Sequence, residues 1–254
     1  MNTDIPTNET RMSNEHAHEA TFRMHSGFDT CRPSVAICFA GGTRSLDRCY
    51  PTFQEHILDR LRDFNVRIFA HTYADGDTWK YERVPYASLQ VDQQPQFDER
   101  EYNDRLGPGQ KTGVRGIFSQ LLSVYRANAL RRAFEQACQV RFDWILRVRP
   151  DSQILAPLPC LSGLDPARLY MPRLADHGGL FDHFAFGGPA PMETYCNRIE
   201  RIDAYYQTGA KFHPESFLKW HLEQCGVAVE RIPMDMTLLR TPGSEDRFHA
   251  VVVR

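Results

Sequence analysis

The sequence predicts an α/β fold with a mostly parallel central sheet, helices on its faces and a smaller mixed β region. Two observations favour this class. Early in the chain, apolar runs at residues 35–40 and 66–70 enclose a segment with apolar residues at helical spacing, as in a strand–helix–strand unit. Later, short apolar runs with turn residues between them predict further strands outside that regular alternation.

The first half of the chain supplies most of the predicted parallel sheet. Its predicted strands are residues 35–40, 66–70, 88–91 and 142–148. The helix after the first strand has Pro51 in its first turn. A second helix has one apolar stripe, made of Ile117, Phe118, Leu121, Leu122, Tyr125, Ala129, Ala133 and Phe134.

The second half is predicted to add short strands and two helices. The strands are residues 168–171, 183–186, 227–229 and 250–253. One helix has Tyr195, Ile199, Ile202 and Tyr206 on one face, and another runs from Pro214 to a stop at Gly226. Residues 1–32 lack apolar periodicity and are predicted to be a flexible leader, and residues 33–254 a single domain.

Composition restricts the classes of partner. The formal net charge of −2 provides no overall field that would attract nucleic acid or an anionic membrane. Arg126, Arg131, Arg132 and Arg141 cluster at helical spacing, which predicts a solvated face, with a docking patch as the alternative.

Cysteine usage and hydropathy indicate the compartment. The seven cysteines are scattered, with no Cys-X-X-Cys pair. The first 30 residues contain no continuous apolar stretch, and no run of about 18 apolar residues occurs that could span a bilayer. We therefore expect a cytoplasmic protein without a transmembrane segment, and contact with a membrane surface stays open.

The end of the first strand is the first candidate binding element. Gly41 and Gly42 let the backbone approach a phosphate, and the Arg44 guanidinium, one residue after Thr43, can bind a diphosphate with two parallel hydrogen bonds. Ligands of open α/β sheets bind at the carboxyl ends of the strands. The alternative is an ordinary tight turn with a surface arginine.

A second candidate element is the end of the strand at 142–148. Arg147 and Arg149 alternate along an apolar strand, so both side chains point to the same face and need anionic partners. Asp151 could offer a carboxylate to a divalent ion, or pair with Arg149.

Two further acids are candidate catalytic residues. Asp182, followed by His183, lies between apolar residues and near glycines, where a carboxylate could orient a sugar hydroxyl or accept its proton. The alternative is a turn aspartate that caps local backbone. Glu215 falls in the first turn of a helix, where the helix dipole favours an acid regardless of function.

Taken together, these segments resemble GT-A type glycosyltransferases of bacteria and viruses that build surface polysaccharides. The resemblance covers roughly residues 33–232 and depends on the order of several modest motifs. The matching segments are Ala40-Gly41-Gly42-Thr43-Arg44, Ile68-Phe69-Ala70-His71-Thr72-Tyr73, Ser119-Gln120 with Tyr125, Phe142-Asp143 through Arg147, Arg149, Pro150 and Asp151, Phe181-Asp182-His183-Phe184-Ala185-Phe186-Gly187 and Pro214-Glu215.

The resemblance implies a Rossmann-like nucleotide-binding half and an acceptor half within one domain. It implies transfer of a hexosyl unit from a nucleoside diphosphate sugar to a hydroxyl of a glycan or glycolipid. By this resemblance the donor-binding residues are Gly41, Gly42, Thr43, Arg44, His71, Arg147, Arg149, Asp151 and His183, and the catalytic residues are Asp182 and Glu215.

The resemblance also implies a divalent cation, Mn²⁺ or Mg²⁺, at Asp151, which takes the place of the metal-binding Asp-X-Asp motif. Arg149 stands where the first aspartate of that motif is usual. Direct neutralisation of the diphosphate by Arg44, Arg147 and Arg149 is therefore the alternative.

Two other functions stay open. A sugar-phosphate nucleotidylyltransferase also has a glycine-rich turn after the first strand, although it normally has a lysine soon afterwards and the next lysine here is Lys80. A non-catalytic module that binds nucleotide sugars or glycans is the other.

Overall fold

The computed structural model describes residues 21–22, 28–29, 31–97, 106 and 113–239. The strands are β1 (Thr21–Phe22), β2 (Ser34–Ala40), β3 (Asn65–Tyr73), β4 (Tyr86–Asp92), β5 (Trp144–Val148), β6 (Ser152–Ile154), β7 (Leu169–Pro172), β8 (Phe184–Gly187), β9 (Val229–Ile232) and β10 (Met236–Leu238). The α-helices are α1 (Leu46–His56), α2 (Val114–Cys138), α3 (Pro189–Cys196), α4 (Ile202–Gln207) and α5 (Pro214–Gln224). Short 3-10 helices cover Leu58–Leu61, Thr78–Arg83 and Asn197–Arg201.

The main sheet confirms the predicted α/β class. Within the described residues its strand order is β1-β4-β3-β2-β5-β8-β7-β9. Strands β4, β3, β2 and β5 are parallel neighbours, so their carboxyl ends meet at one edge. The antiparallel pairs of β8 with β5 and β7, together with a small sheet of β6 and β10, form the predicted mixed β region.

The direction of β8 matters for the site. Because β8 runs antiparallel to β5, its first residue, Phe184, pairs with Val148, the last residue of β5. The residues just before β8 therefore lie beside the residues just after β5. This pairing brings Asp182 and His183 to the edge where the parallel strands end.

Strand β2 is central because every one of its side chains is buried. On one face of the sheet, Val35, Ile37 and Phe39 pack against α1 and against the small sheet of β6 and β10. The opposite face packs Ala36 and Cys38 against α2. An apolar run without polar alternation is the expected sequence of a strand covered on both faces.

The helices differ in part from the predictions. Helix α1 begins at Leu46, so Pro51 lies inside it and the prediction of Pro51 in the first turn is wrong. The single predicted helix with Tyr195 and Tyr206 is two helices, α3 and α4, joined by the 3-10 turn Asn197–Arg201. The remaining predicted elements are found with shifted ends, except the strand at 250–253, which lies outside the described residues.

Helix α2 is buried on more than the predicted stripe. Ala133 is exposed, whereas Val124, Ala127 and Leu130 are buried. The predicted solvated arginine face is wrong for Arg131, which is 2% exposed. Its guanidinium donates to three partners, Asn128, Glu135 and Glu193.

Two observations concern the chain outside this core. Thr21–Phe22, within the predicted leader, pairs antiparallel with β4 at the edge of the sheet. In the part of the chain that the structure describes, no helix has both the length and the apolar composition needed to cross a bilayer.

Candidate active site at the strand ends

The turn after β2 is positioned by buried polar contacts. Gly41 has a φ of 126°, which disfavours a side chain. Its N–H donates to the hydroxyl of Ser123 on α2 at 2.7 Å. Thr43 is fully buried, and its hydroxyl is 3.0 Å from that of Thr72 on β3. The turn is thus fixed by α2 and β3 rather than by its glycines alone.

His71 supports this turn from below. The side chain is fully buried, with Nδ1 2.9 Å from the Ser123 hydroxyl and Nε2 2.9 Å from Asp92 Oδ2. Burial lowers the pKa of His71, which favours the neutral ring. When the neutral ring donates Nε2–H to Asp92, its Nδ1 is an acceptor. The one proton of the Ser123 hydroxyl then serves both Nδ1 and the His71 carbonyl, which is 3.0 Å from the hydroxyl oxygen. His71 therefore acts on the turn through Ser123 and has no free ring nitrogen for a ligand.

This pair makes the stability of the fold depend on pH. The folded-state pKa of His71 lies below its ordinary value of 6.5, so below that pH the unfolded chain binds a proton that the folded chain does not. We expect the free energy of unfolding to fall as the pH is lowered from about 6.5 to 5, by at most about 1.4 kcal/mol per pH unit for one group. Denaturant titrations at several pH values measure this slope.

The variant His71→Gln isolates the contribution, because His183, His213 and His221 also have lowered pKa values and persist in both proteins. The wild type should lose more stability than the variant over this interval. Equal slopes would contradict the assignment. A further loss is expected from about pH 4 downward. Although burial opposes ionisation, hydrogen bonds from His71 and Gln90 and the charge of Arg126 lower the pKa of Asp92 to about 2.

Asp151 is the centre of an arginine pair. Arg149 binds it with two bonds of 2.9 Å, from Nε to Oδ1 and from Nη2 to Oδ2. Arg44 donates to Oδ2 at 2.7 Å. The Asp151 side chain is 1% exposed and that of Arg44 is 41% exposed. The Arg44 guanidinium is therefore anchored on a buried carboxylate while much of its surface faces outward.

Gln120 of α2 joins this pair to Asp182. Its Oε1 accepts from Arg149 Nη1 at 2.8 Å, and its Nε2 donates to Asp182 Oδ2 at 2.6 Å. A single amide thus links the end of β5 to the loop before β8. Gln120 thereby fixes the position of Asp182 relative to Arg149 and to Asp151, which Arg149 binds.

Asp182 is surrounded by arginines. Its backbone carbonyl accepts from Arg147 Nη1 at 2.6 Å and from the Tyr195 hydroxyl at 2.9 Å. Arg198 Nη2 lies 4.0 Å from Oδ2. Burial opposes ionisation of Asp182, but the electrostatic effects of its neighbours, among them Arg147 and Arg198, outweigh it and lower the pKa. The carboxylate is ionised at neutral pH and is a weak proton acceptor.

Two of these arginines have unused donors. Arg147 and Arg198 are almost completely buried, yet Nε and Nη2 of each make no hydrogen bond within the described part of the chain. Leaving a buried donor without an acceptor costs about 1–3 kcal/mol, more for a charged group. These N–H groups of Arg147 and Arg198 are therefore available to donate hydrogen bonds to an anion.

Glu215 and His183 complete the edge. Burial and the Asp182 charge raise the pKa of Glu215 to about 8. Burial lowers the pKa of His183 to about 3. Glu215 lies in the first turn of α5, as predicted, and its carbonyl accepts from Leu180 N–H at 3.0 Å.

The structure brings most of the predicted residues to one edge of the sheet. Arg44, Arg149 and Asp151 are in direct contact, and Gln120 connects them to Asp182. Arg147 contacts the same loop by donating to the backbone carbonyl of Asp182. His71 and Thr43 are fully buried behind the turn. The predicted alternative in which Asp151 pairs with Arg149 is found. The ligand-binding and catalytic roles stay predictions.

Several residues of the site lacked a signal of their own. Ser123, Tyr195 and Arg198 come from helices distant in sequence from the strand ends they contact. The sequence draws attention to Gln120 only through the Ser119-Gln120 match. Lys80 lies in a 3-10 helix, yet its ammonium group donates to the Arg44 carbonyl.

Comparison with known proteins identifies a family. Residues 30–241 match the model of a domain of unknown function (DUF7796). The chain belongs to this family. All the site residues described above, from Gly41 to Glu215, fall within the DUF7796 match, so the site is part of the domain itself.

Other comparisons add less. Among curated proteins, none matches the chain by sequence. A solved structure described as a glycosyltransferase involved in the glycosylation of the major capsid of PBCV-1 is similar over 79% of this chain and 82% of its own. Its identity to this DUF7796 chain is 11% and the TM-score is 0.40, so the likeness carries no conclusion about function.

Proposed function

We propose that the protein transfers a sugar from a nucleoside diphosphate sugar to a glycan hydroxyl. The observation that carries this proposal is an excess of guanidinium groups at the strand ends. Arg44, Arg147, Arg149 and Arg198 surround Asp151 and Asp182, and positive charge still exceeds negative when Glu215 is counted as ionised. An excess of positive charge at a largely buried site, with Arg44 partly exposed beside it, favours an anionic ligand.

The position of the charge suggests a diphosphate. Ligands of open α/β sheets bind outside the carboxyl ends of parallel strands, and here the turn after β2 and the end of β5 are adjacent. The exposed part of Arg44 can bind two phosphate oxygens at once. The donor diphosphate would lie over this turn.

The same charges would assist the reaction. In sugar transfer the bond between the anomeric carbon and the diphosphate oxygen breaks, and the acceptor oxygen bonds to that carbon as its hydroxyl loses a proton. Negative charge then develops on the departing diphosphate. Guanidinium groups already in place stabilise that charge without reorganisation. The predicted catalytic roles of Asp182 and Glu215 remain open to the tests below.

One observation bears on the nucleotidylyltransferase alternative. Lys80, distant in sequence, lies beside the glycine turn, where such enzymes have a lysine. Its ammonium group, however, pairs with Asp47 at 3.1 Å and Asp77 at 2.9 Å, and its side chain is 12% exposed. A lysine held in this way positions the turn rather than a triphosphate.

Arg44→Ala tests the donor site. We expect the dissociation constant for a nucleoside diphosphate to rise at least tenfold, because a charge-assisted hydrogen bond contributes about 1.5–3 kcal/mol. Stability should change by less than about 1 kcal/mol, since the lost ion pair is partly exposed. Calorimetry with UDP, GDP, CDP and dTDP measures the first effect and denaturant unfolding the second.

Arg48→Ala is the matched control, because Arg48 is an exposed arginine on α1 near the same turn. It should bind nucleotide like the wild type. Equal affinity of the Arg44 variant and the wild type would refute the donor-site assignment.

Turnover is tested by nucleotide release. Incubation with nucleotide sugars and glycan acceptors should release a nucleoside diphosphate in an acceptor-dependent manner. Consumption of pyrophosphate with formation of a nucleoside triphosphate would support a nucleotidylyltransferase instead. Tight donor binding without release under any acceptor would support a binding module.

A further inference from the structure

Three side chains near the arginine cluster, which consists of Arg44, Arg147, Arg149 and Arg198, form a mixed set of potential metal ligands. Asp182 and His183 come from the loop before β8, and Glu215 comes from the first turn of α5. Each offers one ligand atom, and these atoms all lie within 4.8 Å of one another. The set combines one imidazole nitrogen with two carboxylate oxygens.

Unused polar atoms in this set point to a missing partner. His183 Nδ1 and Glu215 Oε2 are buried and make no hydrogen bond within the described residues. The Glu215 side chain is only 10% exposed. His213 Nδ1 lies 2.8 Å from Glu215 Oε2, but the contact lacks the geometry of a hydrogen bond. A buried polar oxygen in this state needs a partner, and for the ionised form of Glu215 that partner is a cation or a hydrogen-bond donor.

The backbone holds these ligands on fixed elements. Asp182 and His183 directly precede β8, which is paired with β5. Glu215 is held by the hydrogen bond from Leu180 N–H to its carbonyl and by close contact with Gly179. Ligands presented by a strand start and a helix start need little rearrangement to bind an ion.

We propose that Asp182, His183 and Glu215 together hold one divalent first-row transition metal ion. Imidazole and carboxylate ligands bind such ions at about 2.0–2.2 Å, so ligand atoms around one ion lie at most about 4.4 Å apart. Ligand atoms that all lie within 4.8 Å of one another need at most small side-chain rotations to meet this limit. The imidazole favours Fe²⁺ or Zn²⁺ over Mg²⁺ or Ca²⁺, which prefer oxygen ligands. The two carboxylates also suit Mn²⁺, a first-row ion that binds oxygen ligands.

The nearby arginines are compatible with this ion. Arg149 and Arg44 donate to Asp151, and Arg147 donates to the Asp182 carbonyl rather than to its carboxylate. Arg198 Nη2 lies 4.0 Å from Asp182 Oδ2, which is beyond hydrogen-bond distance. The raised pKa of Glu215 keeps a proton on this side chain at neutral pH, and binding the ion displaces that proton. The two ionised carboxylates then balance the charge of one divalent ion. Asp151, the metal ligand predicted from the sequence, has both carboxylate oxygens bound by guanidinium groups. It is therefore a poorer metal ligand than the set of Asp182, His183 and Glu215.

The inference concerns metal binding and stands without the proposed function. The two are physically linked, because Gln120 contacts both Asp182 and Arg149. If the proposed function also holds, the ion lies close enough to the arginine cluster to add positive charge beside the donor diphosphate. Metal binding is therefore measured without nucleotide, and nucleotide binding is measured in EDTA, so that either idea can fail alone.

The test is calorimetric titration of the metal-stripped full chain with Mn²⁺, Zn²⁺ and Mg²⁺. We expect one Mn²⁺ or Zn²⁺ ion per chain, at least tenfold tighter than Mg²⁺. Glu215→Gln and His183→Asn should each weaken binding at least tenfold. Asp182→Asn should do the same, provided that its circular dichroism spectrum matches the wild type; the other two variants decide the question if that protein does not fold.

Matched controls separate this site from other ligands. Glu223→Gln changes an exposed acid on the same helix and should bind metal like the wild type. The triple variant His16→Asn, His18→Asn, His25→Asn removes the histidines of the first 32 residues and should also retain the ion. The proposal is overturned if the wild type binds no ion, if the site variants bind as tightly as the Glu223 control, or if the triple variant abolishes binding.

Discussion

Replacing Arg149 with methionine is expected to destabilise the fold by about 3–5 kcal/mol and to weaken nucleoside diphosphate binding at the same time. Arg149 supplies both hydrogen bonds of the bidentate contact with Asp151, whose side chain is 1% exposed. Without Arg149 the buried carboxylate loses both of these hydrogen bonds, and the remaining Arg44 guanidinium is partly exposed. Removing one partner of a buried ion pair costs more than the pair contributes, because the remaining charge stays buried.

A double variant separates the two contributions. Arg149→Met combined with Asp151→Leu removes the uncompensated charge and should be more stable than Arg149→Met alone. Nucleotide binding should be weak in Arg149→Met and in the double variant, since neither protein contains Arg149. Denaturant unfolding and calorimetry on the wild type, the two single variants and the double variant complete the cycle. A double variant no more stable than Arg149→Met would show that the pair does not act as described.

The central strands could be predicted because their signal is local. Each of β2, β3 and β5 is an apolar run long enough to stand out, and burial on both faces produces such a run. Strands β6 and β10 have three residues each and exist only through their pairing with each other. Nothing in three residues reports such a partner, so the sequence alone could not locate them.

The residues of the site also differ in whether a local sequence pattern predicts their position. The alternation of Arg147 and Arg149 predicts two arginines on one face. Arg149 lies just beyond β5, and both guanidinium groups reach Asp182, Arg147 through the Asp182 carbonyl and Arg149 through Gln120. Arg131 was predicted wrongly, because helical spacing is the same for a solvated and a buried arginine. The deciding partner, Glu193, is 62 residues away in sequence. Contacts made by tertiary packing leave no local pattern.

The proximity of the proposed metal ligands could not be predicted from the sequence for a different reason. The sequence indicates that residues 183–186 form a strand but does not give its direction. An antiparallel β8 places its beginning at the site, whereas a parallel strand would have placed its end there. The proximity of Asp182 and His183 to Glu215 follows from that direction and could not be read from spacing.

Gly179→Ala is expected to disrupt the site more than any substitution of an exposed residue near it. A Cβ at this position would lie 2.0 Å from both the carbonyl carbon and the carbonyl oxygen of Glu215, and 2.3 Å from Ser216 N. These are backbone atoms at the start of α5, so no side chain can rotate to relieve the overlap. The helix start has to move, and the hydrogen bond from Leu180 to Glu215 is then strained or lost.

The neighbouring glycine provides the control. A Cβ on Gly178 would meet nothing within 4 Å, and its φ of 82° makes Gly178→Ala unfavourable through backbone conformation alone. That strain costs about 1–2 kcal/mol. We expect Gly179→Ala to cost about 3 kcal/mol or more, at the upper end of overpacking. Denaturant unfolding of the two variants compares these costs directly.

The two variants should also differ in binding, which connects the turn to the chemistry. Moving the start of α5 carries Glu215 away from Asp182 and His183, whose positions are set by β8. Gly179→Ala should therefore bind Mn²⁺ at least tenfold more weakly than Gly178→Ala under conditions where both are folded. If both alanine variants bound the ion and unfolded alike, the close approach of residue 179 to Glu215 would not be what positions this carboxylate. The separation of the two glycine effects thus tests whether the site is held by backbone packing or by its own side chains.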